Sequence, residues 1–118
     1  MRLPDLTDPE LRQAAAKALP AIEAHAAELD AVSSDLKKIE SYLQQSDVRL
    51  EVSVPVRDAG GESIGWLKGE GTWRIRYLGG PNSGIFRPLL EMPAAVRIRA
   101  QKALPALVLA IAEAVQCV

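Results

Sequence analysis

Near the middle of the chain, residues 48–56 read Val-Arg-Leu-Glu-Val-Ser-Val-Pro-Val. Apolar residues occupy every second position, which is the period of a β-strand with one buried face. Pro55 favours an edge strand, because it has no N–H to donate to a neighbouring strand. The residues before this segment follow a helical period instead. The sequence therefore changes from helix to sheet here, which predicts an α+β fold.

The region before the strand, residues 8–46, is predicted to be helical. Asp8-Pro9-Glu10 combines a capping residue, a first-turn proline and an acidic residue, as helix starts do. Pro20 lies inside the region, so it either kinks one long helix or separates a pair of helices. Apolar or small residues recur at alternating spacings of four and three, with His25 filling one position, and this is a heptad seam. The seam comprises Leu11, Ala15, Ala18, Ile22, His25, Leu29, Val32, Leu36, Ile39 and Leu43.

A helix of this length exceeds the diameter of a compact domain of 118 residues, so its apolar seam needs a partner surface. A second copy of the chain is the simplest source of that surface, and we expect a homodimer. His25 is either a pH-sensitive element of the helix interface or a border residue satisfied by water or Glu28. The predicted dimer interface comprises Ile22, His25, Leu29, Val32, Leu36, Ile39 and Leu43.

The rest of the chain completes a single α+β domain spanning residues 1–118. Residues 48–87 are predicted to form an antiparallel meander of three to four strands, with a turn at 58–62 and later strands at 63–68, 72–78 and 85–87. Residues 93–116 are predicted to form a C-terminal helix that packs on the sheet. Pro105 lies within this helix and either kinks or ends it.

Composition excludes several classes of protein. A hydrophobic fraction of 48% excludes disorder, and a single cysteine, Cys117, excludes an intramolecular disulfide. The longest nearly unbroken apolar run, residues 103–112, is much shorter than the ~20 residues of a membrane span. The chain is therefore expected to be cytoplasmic, with no membrane association.

The net charge of -1 conceals an uneven distribution. Residues 1–47 carry a net charge of -4, and residues 48–118 carry +3. Alternation along strand 72–78 separates Trp73, Ile75 and Tyr77 from Arg74 and Arg76, which are expected to stand in solvent. Nearby arginines and aromatic residues extend this surface, although the simpler expectation is that Arg97 and Arg99 pair with the acidic N-terminal helix of the same chain or of a second copy. The candidate binding residues are Arg74, Arg76, Arg87, Arg97, Arg99, Trp66, Trp73 and Tyr77.

No arrangement of residues in the sequence matches a catalytic set. The chain has one histidine and one cysteine, and it has neither a metal-ligand motif nor a phosphate-binding glycine loop. We therefore expect a small non-enzymatic homodimer without cofactors, metal or catalytic residues, which serves as a binding or adaptor protein for a protein partner. The alternative is a nucleic-acid-binding protein that uses the arginine-rich strand and helix face.

Overall fold

The computed structural model describes residues 7–56, 60–79 and 85–117. Helix α1 (Pro9–Gln45) is followed by strands β1 (Val52–Pro55), β2 (Ser63–Gly69), β3 (Thr72–Leu78) and β4 (Phe86–Pro88). A short 3₁₀ turn (Leu89–Glu91) then leads to helices α2 (Ala94–Gln101) and α3 (Leu104–Gln116). The predicted α+β class is confirmed. The predicted turn at 58–62 and the loop before the fourth strand lie partly outside the described residues.

Helix α1 runs unbroken for 37 residues, so the alternative of a helix pair is excluded. The Asp8 side chain caps it by accepting a hydrogen bond from the Glu10 N–H at 3.0 Å, and Pro9 occupies the first turn. Pro20 removes one hydrogen bond without ending the helix. The helix ends at Ser46, and the next residue, Asp47, takes a left-handed backbone conformation with φ 54°. That conformation reverses the chain toward the sheet.

The four strands form an antiparallel sheet in the order β1-β2-β3-β4, as a meander predicts. Glu70 and Gly71 join β2 to β3 with φ 52° and 84°, the two positive values of a tight hairpin turn. Strand β1 is shorter than the alternation predicts, because it begins at Val52 rather than Val48. The Val48 carbonyl instead accepts a hydrogen bond from Trp66 Nε1 at 2.9 Å.

One face of the sheet carries the core. Helix α3 packs on β1 and β2, α1 packs on β3, and α2 packs on α1. The cross-strand pairs Ile64 with Tyr77 and Trp66 with Ile75 lie beneath the helices and are buried. The largest fully buried side chains are Trp66, Leu36, Ile64, Ile75, Leu89 and Leu107.

The C-terminal helical region is two helices rather than the single helix predicted at 93–116. Helix α2 ends at Gln101, and α3 begins at Leu104 with Pro105 in its first turn. Pro105 lacks the N–H that would bond to the Gln101 carbonyl, and its ring would clash with that oxygen in a continuous helix. Pro105 therefore separates two helices, whereas Pro20 is accommodated inside one.

Two side chains of α1 cover the open edge of β3. Strand β4 pairs with residues 76–78, and no strand in the described part of the chain pairs with the first half of β3 on that side. Glu40 Oε2 accepts the Ile75 N–H at 3.0 Å, and Gln44 Nε2 donates to the Trp73 carbonyl at 2.9 Å. These bonds attach the C-terminal half of α1 to the sheet and fix the direction in which its N-terminal half extends.

Candidate protein interface on helix α1

The N-terminal part of α1 extends beyond the packed body of the protein. By the body we mean the sheet, α2, α3 and the part of α1 from Val32 onward. The buried residues of α1 all lie from Val32 onward: Val32, Leu36, Glu40 and Leu43. Residues 9–31, which we call the arm, therefore span about 35 Å at ~1.5 Å per residue. The long axis of the molecule, 63 Å against 32 and 25 Å for the other two, reflects this projection.

The arm carries a stripe of apolar residues that remains in contact with solvent. Leu11 is 51% exposed and Ile22 is 46% exposed, although both occupy seam positions. The remaining members are small or half-buried by their helical neighbours. The stripe comprises Leu11, Ala15, Ala18, Leu19, Ile22, Ala26 and Leu29. Because charged residues occupy the other faces of the arm, this stripe is amphipathic in the manner of a helix that packs on a protein surface.

The structure corrects the extent of the predicted dimer interface. Val32, Leu36 and Leu43 are buried in the core of their own chain, and Ile39 packs partly against that core. They therefore do not need a second copy to cover them. Ile22, His25 and Leu29 lie on the arm, where Ile22 and His25 are exposed and Leu29 is half-buried.

The predicted interface also omitted part of the free stripe. It began at Ile22, although the same alternating spacing extends back through Ala18 and Ala15 to Leu11. The heptad spacing therefore indicated that Leu11, Ala15 and Ala18 belong to the same apolar stripe. Leu19 and Ala26 lie outside the heptad positions and widen the stripe on one side.

The two strand arginines correct the expectation that both stand in solvent. Arg76 is only 6% exposed, and its guanidinium donates to the carbonyls of Leu67, Gly69 and Thr72 around the β2–β3 turn. The absence of a side chain at Gly69 makes room for it, because a Cβ there would lie 2.8 Å from Arg76 Cζ. Arg74 folds over the sheet edge, where its Nε lies 3.4 Å from Glu40 Oε1 and its Nη1 lies 3.7 Å from Glu91 Oε1.

The helical arginines are also engaged within the chain. Arg97 Nη1 donates to Ser33 Oγ on α1 at 2.8 Å. Arg99 pairs with Glu62, a residue just before β2, and its Nε lies 2.9 Å from Glu62 Oε2. Arg97 thus contacts the N-terminal helix through a serine, and Arg99 pairs with an acidic residue elsewhere. Arg87 is exposed on β4.

The three aromatic candidates lie under the helices rather than on an open face. Trp66 has no exposed surface and Tyr77 is 5% exposed, while Trp73 is half-buried. The rings of Trp66 and Trp73 stack with centroids 6.0 Å apart. A nucleic-acid surface needs aromatic faces on which bases can stack. The nucleic-acid hypothesis stays a prediction, and most of its residues already have partners within the chain.

Glu62, Tyr77 and Arg99 form a polar cluster at the edge of the core. The Tyr77 hydroxyl donates to Glu62, which also accepts from Arg99. The Arg99 hydrogen bond holds the pKa of Glu62 below its ordinary value of 4.5, with a further contribution from Tyr77 that burial partly opposes. Burial, and then the Glu62 hydrogen bond, raise the pKa of Tyr77. The cluster joins α2 to the start of β2 while Glu62 is ionised.

Replacing Glu62 by glutamine should flatten the acid side of the stability profile. Because the folded-state pKa of Glu62 is lowered, its carboxylate stabilises the fold above the unfolded-state value of 4.5. That contribution disappears as pH falls through the folded-state pKa. Urea unfolding between about pH 6 and pH 3 measures this change. We expect the wild type to lose more stability than Glu62→Gln, whereas the exposed control Glu113→Gln should follow the wild type. Parallel profiles for all three would contradict this role of Glu62.

The structure contains two further features of the kind that form sites, a groove and an exposed thiol. A groove of about 590 Å³ lies between α1 and α3, lined by Ile39, Leu104, Pro105, Val108 and Leu109 with Asp35, Lys38 and Gln101. In the described parts of the chain, no group of three or more His, Cys, Asp or Glu side chains could hold a metal ion. Cys117 is a free, exposed thiol at the end of α3. Across the same residues, no helix is both long and apolar enough to cross a bilayer.

The strongest candidate site is therefore the stripe on the arm. It is extended and apolar, and the packed body of the protein leaves it facing solvent. Comparison of the chain with protein-family models, with curated proteins and with solved structures finds no match.

Proposed function

We propose that this chain is a small non-enzymatic protein-interaction module that forms a homodimer through the arm of α1. The observation that carries the proposal is the exposed apolar stripe, in which Leu11 and Ile22 each leave about half of their side-chain surface in water. Burying such side chains stabilises an association by about 1.5–3 kcal/mol each before the cost of ordering the partners.

A second copy is the partner of choice because its own arm offers an identical stripe. Helices in proteins gain most of their stability from packing of an amphipathic face. Pairing two arms provides that packing for both at once. The proposal needs no cofactor or metal. The single cysteine suits a reducing compartment, so the proposal includes a cytoplasmic location.

Ile22→Glu should convert the dimer to a monomer. The substitution places a charge in the middle of the stripe, and burying it between two arms would cost several kcal/mol. Light scattering behind a sizing column measures the mass at tens of micromolar, where we expect about 25 kDa for the wild type and 12.7 kDa for the variant.

A matched control separates this interface from other exposed leucines. Leu109 on α3 is 70% exposed and lies outside the arm. Leu109→Glu should leave the dimer mass unchanged, and circular dichroism should show the helix and sheet content of the body in both variants. A strictly monomeric wild type, or a Leu109→Glu variant that is monomeric while Ile22→Glu remains dimeric, would overturn the proposal.

The alternative of nucleic-acid binding makes a different prediction. Its candidate residues are the five arginines, of which Arg87 is the one that the fold leaves exposed on a strand. Affinity for mixed DNA and RNA that falls steeply with salt, and that Arg87→Ala weakens, would support it, because phosphate contacts release counterions. Undetectable binding at low salt would remove this alternative.

A further inference from the structure

The dimensions of the arm restrict how two copies can pair. The arm runs from residue 9 to residue 31, so Pro20 is its midpoint. Two arms that cross antiparallel with their midpoints together overlap along their full length, and the two packed bodies then lie at opposite ends. Val32 and Leu36 continue the same seam and are covered by the core of their own chain, so in a parallel pair the body of each copy would lie where the helix of the other continues. The length of the arm and the position of the two bodies therefore favour antiparallel packing of the arms.

The side chains of the stripe fit the same register. With the two midpoints together, Leu11 of one arm is level with Leu29 of the other, and Ala18 is level with Ile22. The centre of the interface then pairs a small residue with a large one on each side of the two-fold axis, and Leu11 packs against Leu29 near each end. A parallel pair would place Ala18 against Ala18 and Ile22 against Ile22, which leaves a gap at one level and crowding at the next.

Pro20 itself does not obstruct this contact. It lies two residues from both Ala18 and Ile22, which is about 200° around the helix from each. Its ring is therefore on the side of the arm opposite the stripe. The alanines at 15, 18 and 26 allow the two helix axes to approach toward the lower end of the usual range of about 8–10 Å.

The charges along the arm favour the same orientation. Arg12 and Lys17 lie toward the start of the arm, whereas Glu28 and Asp30 lie toward its end. At about 100° per residue, Arg12 and Asp30 lie at the same angle around the helix, about 100° from Leu11 and Leu29. In the antiparallel register, Arg12 of one arm is therefore on the same side of the interface as Asp30 of the other and within one helical turn of it. In a parallel pair, the acidic ends of both arms would lie side by side and repel each other.

We propose that the arms of two copies pack antiparallel in a register centred on Pro20, with Arg12 of each copy beside Asp30 of the other. This inference rests on the self-association proposed above. It defines the interaction surface as one two-fold symmetric helix pair that holds two identical α+β bodies at opposite ends.

Cysteine cross-linking distinguishes the two orientations. In a Cys117→Ser background, Leu11→Cys and Leu29→Cys chains are prepared separately and then mixed, exchanged under reducing conditions and oxidised. A disulfide requires Cα atoms within about 7 Å of each other. We expect covalent dimers in the mixture, and none when either variant is oxidised alone. A covalent dimer from Leu11→Cys alone would indicate parallel arms and overturn the antiparallel register while leaving the homodimer in place.

The mass of each reduced variant provides the control for this experiment. If both reduced variants are dimers by light scattering but the mixture gives no covalent dimer, the register is wrong and the homodimer is correct. If the wild type is a monomer at the same concentration, the proposed function itself fails. The two failures are therefore distinguishable.

Charge reversal tests the register without cysteine. Arg12→Glu should raise the dimer dissociation constant about 10-fold, since the two-fold symmetry replaces two exposed ion pairs with Asp30 by two repulsive pairs. The exchange variant carrying both Arg12→Glu and Asp30→Arg should recover most of the loss, because it restores opposite charges in the antiparallel register. No recovery in the exchange variant would contradict the pairing of Arg12 with Asp30.

Discussion

Glu40→Ala should reduce the free energy of unfolding by about 3 kcal/mol, because it leaves the buried N–H of Ile75 without an acceptor. Glu40 is 7% exposed and accepts that N–H through Oε2 at 3.0 Å. Its Oε1 also lies near the Arg74 guanidinium. Because Arg74 is partly solvated, losing this ion pair costs less free energy than losing the acceptor of the Ile75 N–H. A loss of this size is a large fraction of the 5–15 kcal/mol typical of a single domain. Urea unfolding monitored by tryptophan fluorescence measures it.

Two companion variants separate the hydrogen bond from the charge. Glu40→Gln retains an oxygen that can accept the Ile75 N–H and loses only the attraction to Arg74, so we expect a loss of about 1 kcal/mol. Glu28→Ala removes a glutamate from the arm, away from the sheet, and should leave the unfolding of the body within about 0.5 kcal/mol of the wild type. Equal losses for Glu40→Ala and Glu28→Ala would show that the edge of β3 does not depend on Glu40.

The class and order of the elements could be predicted because they depend on local patterns. The cap at Asp8 and the hairpin turn near Gly71 are short-range signals that the structure reproduces. The different effects of the two internal prolines are not local. Around Pro20 the arm does not pack on the sheet, so no contact redirects the helix and it continues. At Pro105 the chain passes from α2, which packs on α1, to α3, which packs on β1 and β2. Tertiary contacts decide between kinking and ending a helix.

The candidate site also combines features that local patterns predict with features that depend on tertiary contacts. Strand alternation correctly separates the faces of β3, but it does not say where a long side chain goes. The space above Gly69 draws Arg76 into the β2–β3 turn. The role of Glu40 depends on β4 being only three residues long, and nothing in the helical period of α1 indicates it. The free stripe could be predicted from the heptad spacing, but its boundary at Val32 depends on how far the body covers α1.

Trp66→Ala should destabilise the protein by about 4 kcal/mol, in the range found when a buried aromatic side chain is truncated. Trp66 has no exposed surface, stacks on Trp73, and donates its indole N–H to the Val48 carbonyl at 2.9 Å. That bond holds the segment between α1 and β1 in place. Trp66→Phe retains most of the apolar contact but loses the bond, so it should still reduce the free energy of unfolding by about 1–2 kcal/mol. Trp73→Phe is the matched control, because Trp73 is only half-buried, and it should cost less than Trp66→Phe. Urea unfolding followed by circular dichroism measures the free energy of unfolding of the three variants. If Trp73→Phe loses as much stability as Trp66→Phe, or more, the indole bond to Val48 does not hold this connection in place.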